Sequence, residues 1–309
     1  MRFTPDVVFA RVVAGRLGRV KTLACHAGWP RNRAYYARND WAGKLRCGDT
    51  WVLDGPATNA LAHQITNLLF LASPEPNALA QPIEVRAELY AAGPVESHDT
   101  AAIEIRTAEG PAAYFLASHC SEANFGPIIE IEAERGKVLW TTRDGAKITY
   151  THGHPPDVPR SACPTVSSPP ARTDTAGQAS RGTAGSATES CPAADGRDKM
   201  VANFIEAVRA NDPSLLRCPL SETRAFVLAL DAAHESSRSI HRISPDHTRQ
   251  VGDGAEARTI VSGLDDLLAR AAANRQLFSG PADRPPWVTA TEAFPLAGYT
   301  IFPQRFGLE

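Results

Sequence analysis

The sequence has little that would bind a nucleic acid or a membrane. Its 32 Lys and Arg residues are balanced by 34 Asp and Glu residues, and a net charge of -2 gives no basic surface for a phosphate backbone. No apolar run approaches the roughly 20 residues that span a bilayer, and the first residues lack the apolar core of a secretion signal. We therefore expect no nucleic-acid partner, no membrane partner and a cytoplasmic location.

Closely spaced metal ligands are also missing. The six cysteines are widely scattered and form no CxxC pair, so we expect no zinc site. His152 and His154 could supply only two ligands, beside a polar segment. With 43% hydrophobic residues the chain can build a core without disulfide bonds, and reduced thiols are favoured.

A dinucleotide-binding turn is the third missing feature. The fingerprint GxGxxG, which places a pyrophosphate on a helix N-terminus after a strand, occurs nowhere in the sequence. The nearest string, Ala14 to Arg19, has the wrong spacing. It follows a helical pattern at Val7 to Val12 and precedes an extended stretch from Arg19 to His26, which inverts the required order. We expect this chain alone to bind no NAD(P).

One long segment has almost nothing to bury. Residues 155–199 contain no Leu, Ile, Met, Phe, Tyr or Trp and are dominated by Pro, Ala, Ser, Thr and Gly. This composition predicts a disordered insertion over 155–198. We expect the remaining parts, residues 1–154 and 199–309, to form a single domain interrupted by this insertion.

Ordered segments before the insertion have the patterns of strands. The turns Glu134-Arg-Gly136 and Arg143-Asp-Gly145 each offer a glycine for positive φ, so the last three strands should form an antiparallel meander. The predicted strands cover 83–90, 100–106, 112–119, 128–133, 137–142 and 147–151.

Two helices are predicted after the insertion, at 199–211 and at 221–237. Met200, Phe204 and Val208 recur at helical spacing in the first, and the second has a cap near Ser221. Both need an apolar partner, which one face of the meander could provide. The predicted fold class is α+β: an open, mainly antiparallel β-sheet with helices packed on one face, interrupted by a disordered linker.

The most informative segment starts at Trp51 and ends at His63. A helix from Pro56 places Asn59 and His63 four residues apart on one side, with apolar residues on the other. Histidine suits proton transfer at neutral pH, and Asn59 could orient a substrate hydroxyl toward it. The alternative is an ordinary surface or core histidine.

Hydrogen-bonding and aromatic residues precede this helix. Such a mixture suits polyhydroxylated substrates, whose CH faces stack on rings while their hydroxyls need donors and acceptors. The same mixture could simply form a polar loop. The candidate substrate-binding residues are Arg31, Tyr36, Arg38, Asn39 and Trp41, and Asp54 is a candidate carboxylate beside the helix start.

These residues resemble a known family. Trp29-Pro-Arg31, Asn59-Ala-Leu-Ala-His63, the meander and the paired helices are similar to the C-terminal domain of the Gfo/Idh/MocA oxidoreductases. Members carry an N-terminal Rossmann domain for NAD or NADP with a Glu-Lys-Pro motif. Neither the Rossmann fingerprint nor Glu-Lys-Pro occurs in this sequence.

The resemblance implies roles for the candidate residues. His63 would be the acid/base, and Asn59, which replaces the family's aspartate, a hydrogen-bond orienter. Asp54 would be a substitute carboxylate. The implied substrate is a sugar or polyol, oxidised at a CH–OH group. The implied partners are a separate Rossmann-domain chain for the cofactor and a second copy of this chain, paired through the open sheet face.

Two other functions remain open at this point. A stand-alone, non-catalytic binding or scaffold module of the same fold is favoured by the Asn59 replacement and the missing lysine. An enzyme with cofactor-free acid/base chemistry, such as a dehydratase, would need a second titratable group beside His63.

Overall fold

The computed structural model describes residues 15–75, 78–151, 188–191 and 196–307. The predicted N-terminal helix at Val7 to Val12 and the two histidines at 152 and 154 lie outside these residues, as does most of the predicted insertion. Within that insertion, Thr188–Cys191 form a strand and a helix begins at Arg197. The prediction of disorder over 155–198 is therefore wrong at its C-terminal end.

The strands and helices follow the hydrophobic patterns of the sequence. All predicted strands between 83 and 151 occur, with slightly shifted bounds, as does the extended stretch after Arg19. In chain order the elements are β1 (Val20–Gly28), α1 (Arg33–Tyr36), β2 (Arg46–Cys47), β3 (Thr50–Trp51), α2 (Ala62–Ala72), β4 (Pro82–Ala91), β5 (Thr100–Thr107), β6 (Ala112–Ser118), β7 (Phe125–Ala133), β8 (Gly136–Thr141), β9 (Gly145–Tyr150), β10 (Thr188–Cys191), α3 (Arg197–Ala210), α4 (Leu220–Ser237), β11 (His241–Arg242), β12 (Thr248–Val251), β13 (Arg258–Val261), α5 (Leu264–Asn274) and β14 (Phe294–Pro295).

The main sheet contains ten of the described strands. Nine follow the order β10-β9-β8-β7-β1-β6-β5-β4-β11, and β14 also pairs with β4. Only the β1–β6 and β4–β11 pairs are parallel, and the other pairs of this sheet are antiparallel. The predicted fold class, an α+β fold with an open and mainly antiparallel sheet, is confirmed.

The meander of β7, β8 and β9 forms as predicted, but its two turns use glycine for different reasons. Gly145 has a φ of 76°, the left-handed conformation that the hairpin was expected to need. Gly136 has no positive φ, contrary to the prediction. A Cβ at Gly136 would instead press into the Thr149 carbonyl oxygen and the Leu17 side chain, so this glycine allows close approach of the strands.

Both faces of the sheet contact helices. Successive residues of β1 point to opposite sides, so Leu23 and Cys25 join the core formed with α2 and α4, whereas Ala24 joins a second core formed with α5. Helix α5 was not predicted, and it covers β1 and β6 on the second face. Beside it, the second face of β7 to β9 stays open, where Leu139 is 43% exposed.

Helix α4 packs against β4, not against the meander as predicted. The hydroxyls of Ser236 and Ser237 accept hydrogen bonds from the backbone N–H groups of Ala87 and Leu89 in β4. The predicted cap at Ser221 is also wrong, because the helix begins at Leu220 after Pro219, with no side-chain cap.

Helix α3 occurs where predicted but does not bury its apolar face among the described residues. Phe204 is 60% exposed and Val208 is 62% exposed, and Ala207 is the buried apolar residue of this helix. The helix ends at Asn211, which adopts the left-handed conformation that terminates helices.

The C-terminal segment is fixed by one buried carboxylate at the end of α4. Glu235 accepts hydrogen bonds from the Tyr299 hydroxyl at 3.0 Å and from the backbone N–H groups of residues 304–306. These bonds hold the segment against the rest of the domain, with Phe302 packed edge-on to Trp51. The C-terminal segment, at Phe302, thereby reaches the residues that precede α2.

Candidate functional site

The candidate residues lie at the end of the sheet where strands β1 and β6 both terminate. These strands are parallel neighbours, so the segments that follow them leave from the same edge. The backbone N–H of Trp29 donates to the Ser118 carbonyl at 2.8 Å, and the backbone N–H of Arg31 donates to the His119 carbonyl at 3.0 Å. Residues 29–36 therefore run beside the end of β6.

Helix α2 starts at this edge with an irregular turn. Residues Pro56–Ala60 form one π-helical turn, and the regular helix begins only after Leu61. Gly55 precedes this turn in extended conformation, and a Cβ on it would collide with the His98 ring and backbone. The continuous helix predicted from Pro56 is therefore interrupted between Asn59 and His63.

Asp54 connects the start of this helix to the preceding loop. Its carboxylate is 3% exposed and accepts hydrogen bonds from the Gly43 N–H at 2.7 Å and from the Asn59 side-chain amide at 2.9 Å. The Arg38 guanidinium lies 4.0 Å from the same carboxylate. Three predicted site residues, Asp54, Asn59 and Arg38, are thus brought into one network.

His63 lies one turn beyond Asn59, near the start of the regular helix. Its side chain is exposed, unlike that of its helix neighbours Gln64 and Ile65. Desolvation by the atoms around one side of the ring lowers the pKa of the His63 imidazole. At neutral pH the side chain is therefore an uncharged base that solutes can reach.

Aromatic rings hold the arginines of the loop. The Arg38 guanidinium stacks over the Tyr35 ring at 3.7 Å and over the Trp41 ring at 5.2 Å. Arg31 lies over the Tyr35 ring at 4.7 Å. Asn39, by contrast, is used by its own turn, where its side-chain oxygen accepts from the backbone N–H groups of residues 41 and 42.

Tyr36 reaches into the protein instead of toward solvent. Its hydroxyl lies 3.0 Å from His119 Nδ1, and His119 is buried. Burial, with the positive charges of Arg31 and Arg38, lowers the pKa of His119 to about 3. His119 is therefore neutral at physiological pH and is not a general acid.

A cavity of about 260 Å³ adjoins this pair, and most of its lining was not predicted. Its walls include Arg31 and Tyr36 together with Asp99, Cys120 and Arg258. Nothing in the local sequence connects residues so far apart in the chain, and only their packing shows that they share a cavity. Burial and the Asp99 carboxylate raise the pKa of Cys120, so its thiol is not a nucleophile.

No group of three or more His, Cys, Asp or Glu side chains in the described part of the chain could hold a metal ion. None of the helices that the structure describes is both long enough and apolar enough to cross a membrane.

Comparison with known proteins gives structural neighbours only. No protein-family model and no curated protein matches this sequence. A putative oxidoreductase of Bacillus subtilis matches with 15% identity and a TM-score of 0.52, over 77% of this chain and 62% of that protein. The WlbA dehydrogenase of Chromobacterium violaceum, solved with NADH and UDP-GlcNAcA, matches with 17% identity and a TM-score of 0.50, over 77% of this chain and 58% of that one.

A third neighbour is an oxidoreductase of Agrobacterium radiobacter, solved with NAD+, L-tartaric acid and magnesium. It matches with 11% identity and a TM-score of 0.50, over 77% of this chain and 60% of that one. This chain thus covers about 60% of the length of these proteins. The solved structures that it resembles are Gfo/Idh/MocA-type oxidoreductases, and the chain shares the fold of the part of them that it covers.

Proposed function

We propose that this chain is the substrate-binding and oligomerisation domain of an NAD(P)-dependent oxidoreductase that acts on a sugar or polyol. The observation that carries the proposal is the Asp54 network, which fixes Asn59 at the start of α2, one turn before the exposed imidazole of His63. The proposal is also supported by the fold, which the chain shares with oxidoreductases solved with NADH or NAD+.

Three kinds of side chain would have different roles in the proposed site. Arg31 and Arg38, held by aromatic rings, would bind substrate oxygens. Asn59, held by Asp54, would orient the reacting hydroxyl. His63, neutral at pH 7, would take the proton of that hydroxyl on oxidation and return it on reduction.

The residues of this chain do not fit a nicotinamide dinucleotide. The sequence has no GxGxxG turn, and β1 leads to the short helix α1, whose N-cap is the Asn32 side chain and not a glycine-rich loop. We infer that another domain supplies the cofactor, either on a separate chain or in sequence beyond these 309 residues. Only the substrate-side steps are assigned to this chain.

We further propose that two copies pair through the open part of the second sheet face. This face of β7, β8 and β9 carries Glu132, Lys137 and Leu139, and helix α5 covers only the neighbouring strands. Sheet faces and edges that no helix covers favour association. Two copies related by a two-fold axis would each cover the open face of the other.

Binding of neutral polyols tests the proposed substrate site. Isothermal titration of the purified chain with D-glucose, N-acetylglucosamine and myo-inositol should reveal saturable binding of at least one of them. Asn59→Ala should weaken that binding about tenfold because one oriented hydrogen-bonding group is lost. The matched control is Asn274→Ala, at the exposed end of α5. An absence of binding up to the solubility limit of each ligand would contradict the proposal.

A stand-alone binding module is the second candidate. Asn59 donates to Asp54 and cannot accept a proton as a carboxylate does, which favours a site that binds without chemistry. The two candidates differ in the genome: a Rossmann segment with a lysine motif upstream or in a neighbouring frame supports the enzyme. Its absence supports the module.

A further inference from the structure

A recess rich in arginine lies at the same sheet edge. Two adjacent cavities, of about 260 Å³ and 330 Å³, share Arg31, Asn32 and Arg258 as walls. Arg31 follows β1 and Arg258 begins β13, so two distant parts of the chain each contribute one guanidinium group to this recess. Guanidinium groups bind carboxylates and phosphates through paired hydrogen bonds.

Two carboxylates also line this recess, and each accepts hydrogen bonds from neighbouring groups. The Glu256 carboxylate accepts a hydrogen bond from the Asn32 side chain at 2.8 Å. Asp99, almost fully buried, accepts from the backbone N–H groups of Ala92 and Gly93 and from the Thr100 hydroxyl. Neither carboxylate forms an ion pair with Arg31 or Arg258 among the residues that the structure describes.

Arg31 differs from the neighbouring Arg38 in its hydrogen bonds. Arg38 donates to the Tyr35 carbonyl and lies beside the Asp54 carboxylate, so its contacts explain its position. The Arg31 guanidinium stacks on the Trp29 and Tyr35 rings, and among the residues that the structure describes its buried Nε has no hydrogen-bond partner. A buried guanidinium N–H without a protein acceptor is unusual, and it can donate to a group bound in the recess.

The arginine charges of this recess act on a neighbouring buried histidine, His119. Burial first, and then the charges of Arg31 and Arg38, lower the pKa of His119, whose Nε2 also has no hydrogen-bond partner in the described residues. The positive charges of Arg31 and Arg258 at one recess favour an anion over a cation, and Glu256 and Asp99 are the carboxylates that also line its two cavities.

We propose that the recess formed by Arg31, Asn32 and Arg258 binds an oxyanion carried by the substrate, either a carboxylate or a phosphate. This inference rests on the proposed function, because it adds an acidic group to the sugar or polyol that is proposed to bind at Asn59 and His63. Arg31 would take the anion through its fork, and Arg258 would close the second side.

Calorimetric titration of the purified chain with four probes tests this inference. The probes are D-glucuronate, D-glucose 6-phosphate, D-glucose and inorganic phosphate. At least one acidic sugar should bind about tenfold more tightly than D-glucose, and this advantage should shrink as NaCl is raised. Comparison of the carboxylate and the phosphate probes identifies which oxyanion the recess prefers.

Variants locate the binding to the recess. Arg31→Gln should remove the advantage of the acidic sugar, and Arg31→Lys, which keeps the charge but loses the fork, should remove only part of it. Arg258→Gln provides a second, independent test if Arg31→Gln fails to fold. Arg19→Gln is the matched control, since this exposed arginine pairs with Glu134 at the opposite end of β1.

The outcomes separate this inference from the proposed function. Equal affinity for D-glucose and both acidic sugars would overturn the oxyanion site and leave the sugar site standing. Binding of inorganic phosphate that is lost in Arg31→Gln, without binding of any sugar, would support the recess and contradict the proposed function. Binding of no probe would overturn both.

Discussion

Asp54 is the residue on which the geometry of the candidate site most depends. It is buried, and its carboxylate holds the Gly43 backbone on one side and the Asn59 side chain on the other. A carboxylate only accepts hydrogen bonds, which suits two donors that face it. The residue thus links the loop of Arg38 to the start of α2.

Asp54→Asn should destabilise the domain by about 1–3 kcal/mol, because the new amide presents N–H groups to donors that need an acceptor. Urea unfolding followed by circular dichroism measures this loss. Asp49→Asn, at an exposed turn, is the control and should lie within about 0.5 kcal/mol of the wild type. Equal stability of the two variants would show that the network does not hold the site together.

At the scale of elements, the irregular start of α2 determines where Asn59 and His63 lie. Pro56 opens the π-helical turn, and Leu61 separates it from the regular helix. Gly55 makes this arrangement fit, since its missing Cβ leaves room for the His98 ring. The π-helical turn, and not the regular helix alone, places the Asn59 side chain next to the Asp54 carboxylate.

Gly55→Ala should therefore destabilise the domain by about 1–3 kcal/mol through overpacking, and it should weaken ligand binding at the site. Gly15→Ala is the control, because a Cβ there meets no atom within 4 Å. Thermal unfolding of both variants measures the difference. A Gly55→Ala protein as stable as Gly15→Ala would mean that the His98 contact is not limiting.

The elements also show what the sequence can predict. The strands from Pro82 to Tyr150 could be predicted because the alternation of buried and exposed residues is local. The place of α5 on the second face could not, since it depends on which distant strands become neighbours. Likewise Asn59 and Arg38 stand out locally, whereas Asp99 and Arg258 enter the site only through packing.

At the scale of the whole molecule, buried histidines make stability depend on pH. Burial lowers the pKa of His98 well below its usual value, that of His119 to about 3 and that of His234 to about 4. In the unfolded chain these side chains titrate near 6.5. Between the two values, the unfolded state binds protons that the folded state does not.

The free energy of unfolding should therefore fall as the pH is lowered from about 6.5 to 5, by about 1.5 kcal/mol each for His119 and His234, and His98 should act in the same direction. Asp231, whose pKa burial and the Glu235 charge raise to about 6, works in the opposite sense. Comparison of His119→Asn with the wild type in urea at both pH values isolates the histidine contribution. The variant should show the weaker pH dependence, and an unchanged slope would contradict this explanation.

The open sheet face predicts the assembly of the molecule. Light scattering after size exclusion should show a dimer, and Leu139→Glu should convert it to a folded monomer by placing charge in the apolar contact. Ile301→Glu, at an apolar site in the C-terminal segment that is more exposed than Leu139, should leave the dimer intact. A wild-type monomer at high concentration would rule out pairing through this face.

We propose that this chain supplies a substrate site and leaves the nicotinamide to another domain. Titration of the purified 309-residue chain into NADH and NADPH, followed by nicotinamide fluorescence, tests this most directly. We predict no saturable change with either nucleotide. Saturable binding of NADH or NADPH by this chain alone would contradict the claim.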